Sequence, residues 1–240
     1  MFKIYDVAGL KVAIKNPVGR TEKQARPYLS KNQDENQHID IKIDVTKQRL
    51  QEMMKKNQCL SEDDWFYMIS GNDFYVGLLN YNGILLHSSC VVVDGNAYAF
   101  SADSGTGKST HTQLWLKKFK DRAYMLNDDK PAIREINGNI YACGTPWSGK
   151  YDYSVPKIVP LAGIAFLERS ENNWIKDAET TFAIFSILNQ STRKLYSEQM
   201  EKEFDTLEKL FNKIKIYQFG CNISEEAVNV SYNAMKPKNQ

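Results

Sequence analysis

Residues 83–110 read GILLHSSCVVVDGNAYAFSADSGTGKST, and this stretch decides the fold. Two apolar runs, GILLHSSCVVV and AYAFSA, flank Asp94-Gly95-Asn96. An Asp-Gly pair between two such runs is the signature of a tight β-hairpin, because both turn residues must adopt positive φ. The second strand of that hairpin runs without a break into SADSGTGKST, Ser101 to Thr110. The run KSTHTQLWLKKFK then places Leu114, Trp115, Leu116 and Phe119 at helical spacing and ends in cations, as an amphipathic helix does. The order is therefore hairpin strand, glycine loop, helix.

A loop in that position has the makings of a phosphate cradle. Small residues let backbone N–H groups converge on phosphate oxygens, a Lys reaches the β- and γ-phosphates, and a Ser or Thr at the helix start meets Mg²⁺. Here Gly105 and Gly107 bracket Thr106, and Lys108, Ser109 and Thr110 come next. The common pattern G-x-x-x-x-G-K-[ST] would put Gly at 102, where this chain has Ala102. Alanine suffices there if the position does not need φ > 0. Ordinary loops of this kind are fed from a parallel sheet with helical crossovers, whereas Asp94-Gly95 gives the feeding strand an antiparallel neighbour.

About 20 residues on, a short buried strand, AYMLN, ends at Asp128-Asp129. Paired carboxylates at the end of a strand beside a phosphate loop divide naturally into metal coordination and proton acceptance. Neighbouring residues on a strand point to opposite faces, so at least one of the two must lie on a turn if both are to reach one site.

Outward from this centre, FKIYDV and LKVAIK read as a hairpin around Ala8-Gly9, and NPVGRTEKQARPYLSKNQDENQ reads as a polar loop. HIDIKIDV alternates with period two, as a half-buried strand does. TKQRLQEMMKKNQ is a polar helix, and DWFYMIS and DFYVGLLNY read as aromatic strands joined at Gly71-Asn72. AIREI and IYACG form a hairpin around Asn137-Gly138, and PLAGIAFLER is an apolar strand. Residues 179–194 and 196–213 read as helices, IKIYQF as a strand, and Ser224 as the cap of a last helix.

The 240 residues, 42% hydrophobic and 25% charged with net charge +2, suit one soluble globular unit and carry no basic run for nucleic acid. The four cysteines, Cys59, Cys90, Cys143 and Cys221, have no metal or C-x-x-C spacing and read as buried reduced thiols. The first residues, with Lys3 and Asp6, form no signal-peptide core. No run approaches the ~20 residues of a membrane span, so the expected location is cytoplasmic.

LLHSSCVVVDGNAYAFSADSGTGKST followed by LNDDKPAI resembles the catalytic domain of HPr kinase/phosphorylase and, more distantly, ATP-dependent phosphoenolpyruvate carboxykinase. Both carry a loop of the form [AG]-x-S-G-x-G-K-[ST] and an Asp-Asp pair on the next strand. The resemblance covers roughly residues 83–168, and the wider layout looks like that of small HPr-kinase-like proteins that stand alone or accompany peptide-modifying systems. It implies a kinase using ATP and Mg²⁺ on a serine-type hydroxyl. Ser104, Gly105, Thr106, Gly107, Lys108, Ser109 and Thr110 then hold the phosphates. Ser109 (or Thr110), Asp128 and Asp129 meet the metal, and Asp128, Asp129, His87 and Lys108 serve catalysis. His87 matches a family histidine near the transferred phosphate. An Arg-, Gly- and Leu-rich stretch after the Asp pair is missing, and Thr110-His111 stands where the family often has an acidic residue. Both departures speak against HPr itself as the acceptor.

Other candidates have plain structural alternatives. GTPWSGKYDYS, residues 144–154, is a lid or substrate loop with Lys150 on phosphate, or a surface loop. Arg134 and Arg169 neutralise phosphate or form surface ion pairs. His111 contacts nucleotide or faces solvent. The expected architecture is an α/β unit with a mixed, largely antiparallel sheet, an HPr-kinase-like phosphate loop and flanking helices. Residues 1–82 form a β-rich extension packed on a nucleotide-binding core, residues 83–240. The leading function is transfer of the γ-phosphate of ATP to a hydroxyl of a peptide, protein or small molecule, and the alternative is a non-catalytic nucleotide-binding partner in a peptide-modification system.

Overall fold

The structure is a computed structural model that describes residues 1–34, 36–149, 151–192 and 194–237. The N-terminal part is a three-stranded sheet, β1 (Phe2–Val7), β2 (Leu10–Lys15) and β3 (Ile41–Ile43), with three helices, α1 (Gly19–Ala25), α2 (Lys47–Lys56) and α3 (Glu62–Leu78). The hairpin turn falls at Ala8-Gly9, both at positive φ. Strand β3 is shorter than the alternation in HIDIKIDV suggests and runs parallel to β2.

Two expectations fail in this region, for physical reasons. The stretch read as two aromatic strands is the single helix α3. Ser61 caps it: its Oγ accepts from the Asp64 N–H, and the Asp64 carboxylate accepts from the Ser61 N–H, a capping box worth ~1 kcal/mol. Trp65, Phe66, Tyr67, Ile69, Phe74, Tyr75 and Leu78 are all buried, so apolar residues surround the helix and its period is hidden. Gly71 is no turn. It leaves room for the buried Trp147, whose Cδ1 would lie 2.8 Å from a Cβ there, and Trp147 stacks on Phe74 with centroids 4.8 Å apart. Gly71→Ala gains ~1 kcal/mol of helix propensity but overpacks this contact at ~1–3 kcal/mol. The net cost of up to about 2 kcal/mol is expected to lower the Tm in a thermal melt by up to roughly 8 °C, where helix propensity alone would raise it. The second failure is α1, inside the stretch read as loop. The Asp63 carboxylate accepts from the Arg20 N–H at 2.9 and 3.1 Å, so this helix start is capped from 43 residues away.

The main sheet has nine strands: β4 (Gly83–Leu85), β5 (Ser88–Val93), β6 (Asn96–Ser101), β7 (Ala123–Asn127), β8 (Ala132–Ile136), β9 (Asn139–Cys143), β10 (Ile158–Arg169), β11 (Trp174–Asp177) and β12 (Lys215–Cys221). The order is β4-β8-β9-β10-β6-β5-β7, with β12 also on β10 and β11 on β12. Most pairs are antiparallel, and β10 runs parallel to both β6 and β12. Strand β6, which feeds the glycine loop, thus has one antiparallel neighbour and one parallel one. Strand β11 has no counterpart among the strands expected from the sequence. The hairpins at Asp94-Gly95 and Asn137-Gly138 fall as expected, with all four residues at positive φ.

Helices cover both faces. On one, α4 (Lys108–Phe119) and α7 (Glu225–Met235) bury Trp115, Phe119, Val228 and Met235 against Tyr98, Phe100 and Phe219. On the other, α5 (Thr180–Asn189) and α6 (Ser197–Phe211) bury Ala183, Ile187, Leu207 and Leu210 against Leu126, Ile133 and Phe166. Ser224 caps α7 as expected, accepting from the Ala227 N–H. A third cluster joins α3 and the N-terminal sheet to Ala132, Cys143 and Trp147. Among the described residues, no helix is long and apolar enough to cross a membrane. Cys90 and Cys143 are buried free thiols as expected, whereas Cys221 is half-buried and Cys59 is exposed.

Candidate active site: the glycine loop and the Asp128–Asp129 turn

The hairpin strand β6 delivers Ala102 into the core and Asp103, Ser104 and Gly105 to the surface. Gly105 and Gly107 lie at φ +80° and +125°, and a Cβ on either would point into open space, so these two glycines serve the turn and not a packing contact. Ala102 has no positive φ, which is why alanine suffices there. Helix α4 starts at Lys108 with Gly107 at its N-cap and no side-chain cap. Its first turn therefore presents free N–H donors and the positive end of the helix dipole. Ser109 and Thr110 are exposed on that turn. The Lys108 ammonium donates to the Ala102 carbonyl at 2.8 Å. Burial pulls its pKa below the usual lysine value, opposed by the charges of Asp129, Asp103 and Asp128.

Both aspartates come just after the end of β7, on a turn, as the geometry of a strand demands. Asn127 Oδ1 accepts from the N–H groups of Asp129 and Lys130 at 2.9 and 2.8 Å. The Lys130 carbonyl accepts from the hydroxyls of Tyr75 and Thr145 at 2.5 and 2.7 Å. Asp128 faces α4: its Oδ1 accepts from Ser89 Oγ at 2.5 Å, and Ser89 is 2.7 Å from Thr112 Oγ1 on that helix. Asp129 faces the other way, 3.2 Å from His87 Nε2 and 2.5 Å from Lys130 Nζ. Burial raises the Asp129 pKa, but the hydrogen bond from His87 and the charge of Lys130 outweigh it and hold the carboxyl below its usual value. Gly149, at φ +75°, passes so close that its Cβ would lie 2.9 Å from the Asp129 Cβ.

His87 is bound on both ring nitrogens. Its Nδ1 lies 2.9 Å from Gln190 Oε1, and Gln190 Nε2 donates to Asp103 Oδ1 at 3.2 Å. A chain of contacts thus runs from the glycine loop through Gln190 and His87 to Asp129. Gln190, Asp103, Ser89 and Lys130 are not among the residues the sequence singles out. Asp103 and Lys130 adjoin the motifs and Ser89 lies within the stretch 83–110, whereas Gln190, at the end of a helix with no motif of its own, gives no signal.

The remaining candidates separate. Arg169 reaches the loop, donating to the Gly105 carbonyl at 2.7 Å. Arg134 does not: it donates to the carbonyls of Tyr81 and Ala8 and fastens the N-terminal hairpin. Residues 144–149 are no surface loop, because Thr145, Trp147 and Ser148 are buried. Lys150 lies outside the described residues. His111 does not face solvent. It is buried in an aromatic cluster with Phe100 and Phe219, and its Nε2 accepts from Trp115 Nε1 at 3.0 Å. Its proton therefore sits on Nδ1, which has no hydrogen-bond partner among the described residues.

Burial lowers the His111 pKa from 6.5 to about 4. A folded-state value below the unfolded one means the unfolded chain binds the extra proton, so stability is lost as pH falls from about 6.5 to about 4, by up to about 3 kcal/mol. His111→Gln, which keeps an acceptor for Trp115, is expected to flatten that limb in Tm measured against pH. An unchanged slope would show that His111 does not carry it.

Two cavities flank the loop–aspartate axis. One, of about 750 Å³, is walled by Gly105, Thr110, His111, Leu114, Leu167, Arg169 and Ile223 among others. The other, of about 580 Å³, is walled by Asp129, Lys130, Gly149 and residues of α1 and α3. Among the described residues no group of three or more His, Cys, Asp or Glu side chains forms a cation site. The oxygen donors present, Ser109 on the loop helix and the two aspartates, suit Mg²⁺ that arrives with phosphates and takes one or two carboxylates from the protein.

No family model matches the chain, and no curated protein matches its sequence. Among solved structures, the Hpr(Ser) kinase/phosphatase from Coxiella burnetii is similar with a TM-score of 0.38 and 10% identity, over 62% of this chain and 95% of that chain.

Proposed function

We propose that this chain is an ATP- and Mg²⁺-dependent kinase that moves the γ-phosphate onto a hydroxyl. The observation that carries the reading is the chain of contacts that ties the glycine loop to the aspartate turn: Gln190 Nε2 donates to Asp103 Oδ1 at 3.2 Å, Gln190 Oε1 lies 2.9 Å from His87 Nδ1, and His87 Nε2 lies 3.2 Å from Asp129. Phosphoryl transfer needs little covalent help, so positioning and charge neutralisation do most of the work.

In this reading the free N–H groups of the first turn of α4, the loop residues 104–107 and the Lys108 ammonium hold the phosphates, although the Thr106 N–H already donates to the Asp103 carbonyl at 3.2 Å. Ser109 and Asp128 hold the metal, which neutralises charge on the transferred group. Asp128 suits that role because Ser89 and Thr112 tie it to α4. Asp129, turned toward the second cavity, takes the acceptor proton, and His87 and Lys130 orient it. The larger cavity takes the nucleoside, and the partnerless Nδ1–H of His111 in its wall supports that assignment. Arg169 steadies the loop from β10.

The test is a calorimetric titration of the full chain with ATP and Mg²⁺ without any acceptor. Saturable binding at micromolar to submillimolar ATP is the expected result. No heat of binding at millimolar ATP overturns the reading.

A further inference from the structure

The cavity of about 580 Å³ on the Asp129 side differs in kind from the nucleoside side. Its walls come largely from the N-terminal part: Arg20 of α1, Leu60 before α3, and Asp64, Tyr67, Met68, Gly71, Asn72 and Tyr75 of α3. The rest come from Leu85, Asp129, Lys130, Trp147, Gly149, Ser191 and Thr192. We infer that this cavity is the acceptor site of the kinase and that its occupant is a small hydroxy acid, a free molecule carrying one hydroxyl for phosphorylation and one carboxylate. The inference rests on the kinase reading above.

Size and shape argue for a small molecule. A concave site of this volume, lined by aromatic and aliphatic side chains with a few polar groups, falls in the range that encloses small ligands. A serine on a protein surface needs a shallow, exposed approach to Asp129. Here the carboxylate lies at the wall of a recess in which Trp147 and Tyr75 are buried.

Polar groups in the walls fix the ligand chemistry. Asp129 offers the carboxylate that faces a hydroxyl. Thr192 is nine-tenths buried, and its Oγ1 has no hydrogen-bond partner among the described residues. A buried hydroxyl without a partner costs free energy until a ligand supplies one. Arg20 supplies the anion-binding group. Its guanidinium lies over the Tyr67 ring at 4.9 Å and donates from Nη2 to Asp64 at 3.2 Å. That single contact leaves most of the planar fork for a second carboxylate, a geometry suited to arginine and not to lysine. Lys130 lies over the same ring at 5.6 Å while holding Asp129, so Tyr67 spans the anion-binding and reacting parts of the cavity.

The reaction balances with the donor already proposed. The acceptor oxygen forms a bond to the γ-phosphorus as the bond from that phosphorus to the β,γ-bridging oxygen breaks. The bridging oxygen leaves with its electron pair on ADP. The hydroxyl proton passes to Asp129 and from there to water. The products are ADP and the phosphate monoester of the hydroxy acid.

The experiment uses the full chain with Mg²⁺ and γ-labelled ATP, and a panel of free hydroxy acids: glycerate, lactate, serine, homoserine and 4-hydroxybenzoate. A panel member at millimolar concentration is expected to accelerate ADP formation about tenfold or more over the acceptor-free rate and to become labelled. With that acceptor, Arg20→Met should raise KM about tenfold or more while kcat changes little, because it removes binding common to ground and transition states. Thr192→Val, nearly isosteric, should raise KM severalfold, and neither variant should change ATP affinity. ATP binding with no panel member labelled, or label appearing only on an added peptide or protein, overturns the hydroxy-acid inference and leaves the kinase reading standing. Unchanged KM in both variants overturns the assignment of this cavity. Absence of ATP binding overturns the kinase reading and this inference with it.

Discussion

Lys108→Ala lowers the affinity for ATP and Mg²⁺ by about 100-fold: that is the result expected in calorimetry. The ammonium is the one cation that the loop carries, and it rests on the Ala102 carbonyl, a neutral partner it exchanges for phosphate oxygens. A hydrogen bond between charged groups in a half-buried site is worth about 3 kcal/mol, which corresponds to about two decades in Kd. Because the ammonium donates to the carbonyl of the buried Ala102, a thermal melt of the variant accompanies the titration to show that it folds. A variant that folds and binds ATP as the native chain does would remove the loop from the nucleotide site.

The second large effect is on turnover. Asp129→Asn is expected to reduce ATP consumption by about 10²–10⁴-fold while ATP affinity stays within a few-fold. Acceptor-free hydrolysis, in which water takes the place of the hydroxyl, is a sufficient readout. Asparagine keeps the shape and still accepts from His87, but it loses the ion pair with Lys130 and any ability to take a proton. Because His87 and Lys130 hold the native carboxyl below its usual value, the aspartate stays ionised throughout the neutral range. The acid limb of the rate profile should accordingly lie below pH ~4. Undiminished turnover in the variant would sink the assignment of Asp129 as the proton acceptor. Binding with no turnover even in the native chain would favour a non-catalytic nucleotide-binding role.

How much of the molecule is readable in its sequence depends on how local each cause is. Asp94-Gly95 and Asn137-Gly138 specify their hairpins because two adjacent residues supply the positive φ that the turn needs. The glycine loop and its helix are legible for the same reason, and Asp128-Asp129 becomes legible once the loop defines what a strand-end carboxylate pair would face. Helix α3 passes for strands because it is buried on nearly every side, which erases the period that reveals a helix. Helix α1 passes for a loop because its cap, Asp63, comes from another element. Gln190 is invisible because only the packing of α5 brings it between His87 and Asp103. His111 fails in the opposite direction: one turn into the helix it looks available to solvent, and it is instead packed among Phe100, Trp115 and Phe219.

The two cavities are walled by different stretches of chain, and that has a consequence for how such a protein changes over generations. Arg20, Leu60, Tyr67 and Met68 wall one cavity, and Gly105, Thr110, Leu114 and Ile223 wall the other. Mutations in the first group can drift or be selected without disturbing the second. On the kinase reading proposed above, a duplicated gene could therefore acquire a new acceptor by altering a few positions in its first third, and comparison of relatives should then show residues 101–110 and 127–129 fixed while the first cavity's walls diverge.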